Sequence, residues 1–311
     1  MIEVQGLCKR FATARGWSGV LGSALGIGKG KGNAPAPAFV QAVDGVNFSA
    51  ANGQITGLLG PNGAGKTTTL RLMAALMPAD AGHITVDGVD VSAQPRAALA
   101  RLGVLSDARG LYARLTAREN IVYFAQLHGL SGQQANARAE QLGKLLDMTP
   151  LLDRRTAGFS QGERMKTALA RALVHNPPNV ILDEPTNGLD VLATRALREV
   201  LRRLRDDEGK CIVFSTHIMQ EVERLCDQVV VVAHGRTVAQ GTVAELAAQA
   251  GETDFEQAFV TLAFADGERA ANAASTAGGE RPSAGAQASA ADHEHDRDHD
   301  RDPNRDRQAR P

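Results

Sequence analysis

Residues 55–68 read ITGLLGPNGAGKTT, and this stretch decides the fold. Its first five residues form a short apolar run typical of a buried strand, and the residues that follow it predict a helix. The spacing G-x-x-x-x-G-K-T from Gly60 to Thr67 is that of a phosphate-binding loop, in which backbone N–H groups surround a phosphate at the start of a helix. We expect Lys66 to reach the β- and γ-phosphates and the Thr67 hydroxyl to ligate Mg²⁺.

The rest of the chain alternates short apolar runs with longer helical patterns. The sequence predicts further strands at Val180 to Leu182, Cys211 to Phe214 and Val229 to Val232, and helices at Thr67 to Met77, Glu163 to His175 and Leu192 to Leu204. The tetrapeptide from Thr116 to Glu119 is a capping box that opens another helix. This alternation predicts an α/β fold with a mostly parallel sheet covered by helices.

Two carboxylates follow the predicted strand Val180 to Leu182. Asp183 and Glu184 would lie at the sheet edge where phosphate-loop proteins bind nucleotide. Asp183 suits the Mg²⁺ shell, and Glu184 is placed to polarise the attacking water as a general base. An acidic pair after a strand is by itself usually a solvated strand end, but its position downstream of a phosphate loop favours the catalytic interpretation.

The segment Phe159-Ser-Gln-Gly-Glu163 precedes a helical run and lies 23 residues before Asp183, counted from Ser160. It resembles the signature motif of ABC-type ATPases. In that family, the residues matching Ser160 and Gly162 contact the γ-phosphate of ATP held by the opposite subunit. On its own the motif is also an ordinary helix N-cap.

Further motifs of the same family follow in order. The segment ending at Asp190 resembles the D-loop, which crosses between the two sites of an ABC dimer, and His217 resembles the switch histidine that senses the γ-phosphate. Phe11 resembles the aromatic residue that stacks on adenine, with packing in the core as the alternative. The family's Q-loop glutamine is replaced, since Ser106 and Asp107 occupy the corresponding position. Asp107 could accept a Mg²⁺-bound water but adds negative charge beside the phosphates.

The resemblance implies an ABC ATPase domain over residues 1–265, with a phosphate-loop core, an antiparallel β edge and a helical subdomain at about 116–158. It further implies two subunits meeting head to tail, ATP and Mg²⁺ as ligands, and coupling to an integral-membrane permease. Glu184 and His217 would be catalytic, and Thr67 and Asp183 would hold Mg²⁺. The residues assigned to nucleotide binding are Phe11, Gly60, Pro61, Asn62, Gly63, Ala64, Gly65, Lys66, Thr67, Thr68, Asp107, Ser160, Gln161, Gly162, Asp183 and Asp190.

Composition separates two segments from this domain. Residues 12–38 are rich in Gly and Ala and are interpreted as an inserted loop. The sequence GIGKGKG within it does not match the phosphate-loop pattern, because Lys29 is followed by Gly30 where the pattern requires Ser or Thr. The polar tail, residues 266–311, is predicted to be disordered because it lacks large apolar side chains. Its histidines, His293, His295 and His299, lie among carboxylates, so weak metal binding is an alternative to a solvated tail.

The formal net charge is −1, so no basic surface for nucleic acid is expected. Three cysteines without C-x-x-C spacing argue against disulfides and zinc sites. No apolar run approaches the length of a membrane span, and the cysteine usage predicts a reduced, cytoplasmic compartment. The resemblance to ABC ATPases further implies a position on the inner face of the cell membrane. Segments 105–121, 159–166 and 251–259 resemble the ATPase of bacterial sodium-efflux exporters, although no residue selects sodium. The alternatives are an exporter subunit for a drug, lipid or polysaccharide, a soluble ABC ATPase that drives assembly, and a regulatory nucleotide switch.

Overall fold

The computed structural model describes residues 1–12, 39–106 and 110–264. The inserted segment from residue 13 to 38, Asp107 and the polar tail lie outside these ranges, whereas Ala12 is the last residue of a strand. The strands are β1 (Ile2–Ala12), β2 (Phe39–Ala50), β3 (Ile55–Leu59), β4 (Ala81–Val86), β5 (Val89–Asp90), β6 (Leu102–Leu105), β7 (Asn179–Asp183), β8 (Cys211–Thr216), β9 (Gln228–Ala233) and β10 (Arg236–Gly241).

Helices cover most of the remaining described residues. They are α1 (Lys66–Met73), α2 (Pro95–Leu99), α3 (Ala117–Leu127), α4 (Gly132–Leu145), α5 (Gln161–Leu173), α6 (Val191–Asp206), α7 (Met219–Leu225), α8 (Val243–Ala250) and α9 (255–264), with 3₁₀ turns at Thr149–Leu151 and Thr156–Gly158. The predicted helix after the phosphate loop is therefore shorter than expected, because it ends at Met73 and not at Met77. None of the helices in these ranges combines the length and hydrophobicity needed to cross a membrane.

The central sheet has the strand order β10–β9–β3–β8–β7–β6. Its strands pair in parallel except for the antiparallel pair of β9 and β10 at one edge. A second sheet, ordered β2–β1–β4–β5, is antiparallel throughout. The predicted α/β fold with a mostly parallel sheet and an antiparallel β edge is thus confirmed.

The central strands separate two hydrophobic clusters, because successive side chains of a strand point to opposite faces. On β8, Ile212 and Phe214 pack with the apolar faces of α3 to α6, whereas Val213 packs with α1 and the antiparallel sheet. All six residues of β8 are buried. Burial on both faces explains why the central strands read as continuous apolar runs in the sequence.

Helix α3 begins at the predicted capping box. The Thr116 hydroxyl accepts a hydrogen bond from the Glu119 N–H at 3.1 Å, and the Glu119 carboxylate accepts one from the Thr116 N–H at 2.7 Å. The same reciprocal arrangement starts α4 at Ser131 and α5 at Ser160. These caps satisfy backbone donors that the first turn of a helix leaves free. They fix where each helix begins.

Candidate functional site

The loop from Gly60 to Gly65 connects β3 to α1 at the carboxyl end of the central sheet. Two of its glycines are required by close backbone contacts. A Cβ on Gly60 would lie 2.2 Å from the Val232 carbonyl oxygen, and one on Gly65 would lie 2.4 Å from the Ala42 carbonyl oxygen. Gly65 also has a φ of +100°, a conformation that favours glycine. The loop backbone is therefore held against β2 and β9 in a shape that no larger residue permits.

Lys66 is the first residue of α1, and only 4% of its surface is exposed. Its Nζ donates hydrogen bonds to the carbonyl oxygens of Gly60, at 2.8 Å, and Pro61, at 3.0 Å. Burial lowers the pKa of this ammonium, while Glu184 and Asp183 act in the opposite direction. The lysine is thus oriented along the loop with two carboxylates close by.

Asp183 is the last residue of β7, and its carboxylate accepts hydrogen bonds from hydroxyl groups of two neighbouring elements. Its Oδ1 accepts hydrogen bonds from Thr67 Oγ1, at 3.0 Å, and Ser215 Oγ, at 2.6 Å. Parallel pairing explains the meeting, because Asp183 lies opposite Ser215 in the register of β7 and β8. Thr67, Asp183 and Ser215 therefore meet at one point, where β7 and β8 end and where the loop after β3 leads into α1.

Glu184 follows Asp183 with a φ of +44°, which is uncommon for a residue with a side chain. Its N–H donates to Ser215 Oγ at 2.9 Å. The carboxylate contacts His217 Nδ1 at 3.2 Å through Oε1 and accepts a 3.3 Å bond from Asn187 Nδ2 through Oε2. A carboxylate held between an imidazole and an amide has a fixed direction, as a general base requires.

The signature segment lies on the other side of the same cleft. Ser160 caps α5 in a reciprocal box with Glu163, and Gln161 donates from Nε2 to the Asn187 carbonyl oxygen at 2.8 Å. Gly188 passes so close to the Gln161 amide that a Cβ there would lie 2.4 Å from Nε2. Gln161 therefore connects the signature segment to the D-loop of its own chain.

Asp190 caps α6 by accepting a 2.8 Å hydrogen bond from the Ala193 N–H. Its carboxylate therefore has a structural partner within the chain, beyond the D-loop role implied by the resemblance. Val191 and Leu192, the first residues of α6, are 80% and 79% exposed. This helix start consequently presents a capped backbone and two solvated apolar side chains.

The cleft between these elements measures about 530 Å³. Its lining side chains are Thr67, Arg71, Leu105, Ser106, Gln161, Arg164, Met165, Asp183, Glu184 and Asn187. Hydroxyls, amides, carboxylates and two guanidinium groups therefore face one space. Such a lining suits a charged, hydrogen-bonding ligand more than an apolar one.

Phe11 lies near the end of β1, opposite Val40, with 40% of its surface exposed. Lys9 Nζ lies 5.9 Å from the centre of its ring. The ring is therefore not packed in the core, which was the alternative to an adenine contact. Asp107 lies outside the described residues, and the preceding Ser106 is at the cleft.

Ser215 belongs to this site but is not among the residues predicted from the sequence motifs. It is fully buried and bonds both to Asp183 and to Glu184. The signal was present, since Ser215 lies two residues before His217, but a small polar residue within a buried strand is normally assigned to packing. Its importance follows only from the register of β7 and β8.

Known proteins that are similar to this chain identify its family. Residues 43–187 match a family model described as ABC transporter. The ABC transporter ATP-binding protein NatA of Bacillus subtilis (strain 168) is 42% identical over 223 residues, which cover 71% of this chain and 90% of NatA. The chain belongs to the ATPase subunits of ABC transporters.

Other relatives of the ATPase extend the comparison. The Nod factor export ATP-binding protein I of Paraburkholderia xenovorans (strain LB400) is 41% identical over 66% of this chain and 67% of its own length. A solved ATP-binding subunit of an ABC transporter matches with a TM-score of 0.67 and 28% identity, covering 84% of this chain and 99% of that one. A dimeric ATP-binding cassette bound to ADP and Pi shares the fold, with a TM-score of 0.64 and 21% identity over 78% of this chain and 98% of that one.

Proposed function

We propose that the ATPase powers export of Na⁺ through a separate integral-membrane permease, bound at the cytoplasmic face of the membrane. The observation that carries the hydrolytic part is the meeting of Thr67, Asp183, Glu184 and His217 at one sheet edge. The Na⁺ cargo is supported by the resemblance of the sequence to sodium-efflux exporters and by the similarity to NatA. The formal charge of −1 supports a protein partner over a nucleic acid.

The residues divide the hydrolytic work among them. The backbone N–H groups of the loop and the Lys66 ammonium hold the phosphates of ATP. The Glu184 carboxylate accepts a proton from the attacking water, and the His217 imidazole, 3.2 Å away, fixes its direction and neutralises developing charge. Proton transfer and phosphate binding are therefore assigned to different residues that meet at one edge of the central sheet.

Mg²⁺ fits the donor atoms at this point. The Thr67 hydroxyl and the Asp183 carboxylate are 3.0 Å apart and are both oxygen ligands of the kind that Mg²⁺ prefers. We propose that these two residues would hold the ion. When bound, Mg²⁺ neutralises phosphate charge.

A second copy of the chain completes the site. We propose that Ser160, Gln161 and Gly162 of one subunit face the γ-phosphate bound by Lys66 of the other. Val191 and Leu192 support this, because two apolar side chains so exposed beside the D-loop would be covered in a dimer. ATP holds the dimer shut, and loss of the γ-phosphate reopens it.

An exposed aromatic surface on the helical part of the molecule is our candidate for the contact with the permease. Tyr112, Tyr123 and Leu127 are 48%, 42% and 65% exposed, and the two tyrosine rings meet edge to face at 5.5 Å. Aromatic residues of this kind are enriched at protein interfaces. We propose this surface, near the cleft-lining Ser106, as the permease contact that transmits opening and closing.

The cargo is tested by Na⁺ efflux from Na⁺-loaded cells that express the ATPase with its adjacent-gene permease. Efflux that disappears with Glu184→Gln, at an equal protein level, would establish a sodium exporter powered by this site. ATPase activity with no difference in Na⁺ efflux between wild type and Glu184→Gln would support the ATPase role but reject sodium as the cargo. The Nod factor export relative favours an organic molecule as the second candidate, to be tested by efflux of amphiphilic compounds from the same cells.

The composite site is tested with two helix caps. Ser160 and Ser131 both begin a helix through a capping box, so replacing either with Ala costs about 1 kcal/mol of stability. We expect Ser160→Ala to lose ATPase activity as well, whereas Ser131→Ala should retain it. Equal activity in the two variants would contradict a role for Ser160 at the γ-phosphate.

A further inference from the structure

The Ser215 hydroxyl makes hydrogen bonds with both acidic residues of the site, Asp183 and Glu184. It is the fifth residue of β8, lies directly opposite Asp183 on β7, and is completely buried. The neighbouring His217 leaves the strand at the same edge of the sheet. No motif assigns Ser215 a role in the reaction.

The hydrogen bonds of Ser215 have a defined direction. A hydroxyl has one proton to donate and lone pairs to accept. The Ser215 hydroxyl donates its proton to Asp183 Oδ1, at 2.6 Å. The Glu184 N–H can only donate, and Ser215 Oγ accepts it at 2.9 Å. The serine thus connects the side chain of one acidic residue to the backbone of the next.

Glu184 needs such an anchor because its backbone is in the left-handed region, with a φ of +44°. Residues with a Cβ rarely adopt this conformation and retain it only where surrounding contacts enforce it. The Ser215 hydroxyl, which is fully buried, accepts a hydrogen bond from the N–H of that half-buried peptide. Without it, Glu184 can relax toward negative φ, and its carboxylate would leave the direction set by His217.

We propose that Ser215 is a positioning residue that holds Glu184 in its left-handed conformation and thereby aims the general base. This inference rests on the proposed role of Glu184 as that base. It also explains why the two acidic residues, which perform different tasks, are tied to one hydroxyl. Through two hydrogen bonds, Ser215 connects the Asp183 carboxylate to the N–H of Glu184.

The first test is Ser215→Ala in the full-length chain with its permease. A misdirected base lowers kcat by about tenfold to a hundredfold, since small displacements of a catalytic group have effects of this size. The affinity for the non-hydrolysable analogue AMP-PNP without divalent cation should stay within about twofold, because Ser215 does not touch the phosphate loop. A loss of AMP-PNP affinity equal to the loss of kcat would overturn the proposal.

Thr56→Val is the matched control. Thr56 is also a fully buried hydroxyl residue on a central strand, but its Oγ1 has no hydrogen-bond partner in the described part of the chain. Replacing it with Val preserves the volume and removes no bond, so kcat should be unchanged. A fall in kcat equal to that of Ser215→Ala would show that the site is sensitive to any change in these strands, and would contradict a specific role.

A double-mutant cycle separates positioning from general structure. If Ser215 acts through the Glu184 carboxylate, Ser215→Ala has no further effect in a Glu184→Gln background, measured by single-turnover hydrolysis of radiolabelled ATP. Equal fold-losses in both backgrounds would overturn the inference. Near-wild-type hydrolysis by Glu184→Gln alone would instead refute the proposed base. If Ser215→Ala fails to fold, Ser215→Cys keeps a side chain there while weakening both bonds, and the same cycle applies.

Discussion

Replacing Gly65 with Ala tests whether the phosphate loop depends on its contact with β2. The new Cβ would lie 2.4 Å from the Ala42 carbonyl oxygen, a backbone atom that cannot turn aside. Gly63 offers a matched position, because its φ is +82° but nothing lies within 4 Å of a Cβ there. The two substitutions therefore share the backbone strain and differ in the contact.

The expected magnitudes follow from these two terms. A left-handed alanine costs about 1–2 kcal/mol, of which the reduced freedom of the unfolded chain offsets about 0.4–1 kcal/mol. Gly63→Ala should therefore cost about 1 kcal/mol. Steric overpacking adds about 1–3 kcal/mol, so Gly65→Ala should cost about 2–4 kcal/mol. At roughly 2–4 °C per kcal/mol for a domain of this size, Gly65→Ala should lower Tm at least twice as far as Gly63→Ala.

The assay is thermal unfolding of the two purified variants and the wild type, followed by circular dichroism without nucleotide. Leaving nucleotide out matters because a ligand stabilises the folded state by mass action and would hide the backbone terms. Equal shifts in Tm for the two variants would refute the reasoning, because they would mean that the loop moves away from Ala42 without cost.

Three further predictions concern the phosphate site, pH and the dimer. Lys66→Ala should abolish binding of ATP, measured by equilibrium titration, because it removes the ammonium group that lies along the phosphate loop; unchanged affinity would contradict its role. Burial lowers the pKa of His175 to about 4, below the value of about 6.5 in an unfolded chain, so the unfolded state takes up a proton first as pH falls. Stability should therefore decrease from about pH 6.5 to about pH 4, and His175→Gln should show a smaller decrease in Tm over that interval. In a Glu184→Gln background, Leu192→Asp should prevent the ATP-dependent dimerisation that light scattering detects. The control Arg203→Asp, at another exposed position of α6, should leave the dimer intact.

Much of the fold was predictable because its determinants are local. The strand, glycine-rich loop and helix around Lys66 are adjacent in sequence, and the Thr116 capping box specifies the start of α3 within four residues. The apolar runs of the central strands were recognisable since burial on both faces removes polar residues. Their ends were predicted to within one or two residues.

The contacts of the site depend on distant parts of the chain and were less accessible. Ser215 meets Asp183 only because β7 and β8 pair in one particular register. The bond from Gln161 to the Asn187 carbonyl joins two motifs that the sequence places 26 residues apart. The left-handed conformation of Glu184 has no signature at all, because its residue type gives no hint of a positive φ. Tertiary register, and not local propensity, produces these features.

The antiparallel pairing of β1 with β2 brings the two positions that flank residues 13–38 side by side. Ala12 and Phe39 are cross-strand partners, so the chain leaves and re-enters the sheet at adjacent positions. A two-residue Asn-Gly turn has the geometry to join such neighbours. We expect that residues 13–38 can be replaced by a short turn or a fluorescent reporter without changing the register of β1 and β2. A dye placed there would lie beside Phe11, the residue that the family resemblance assigns to the adenine ring.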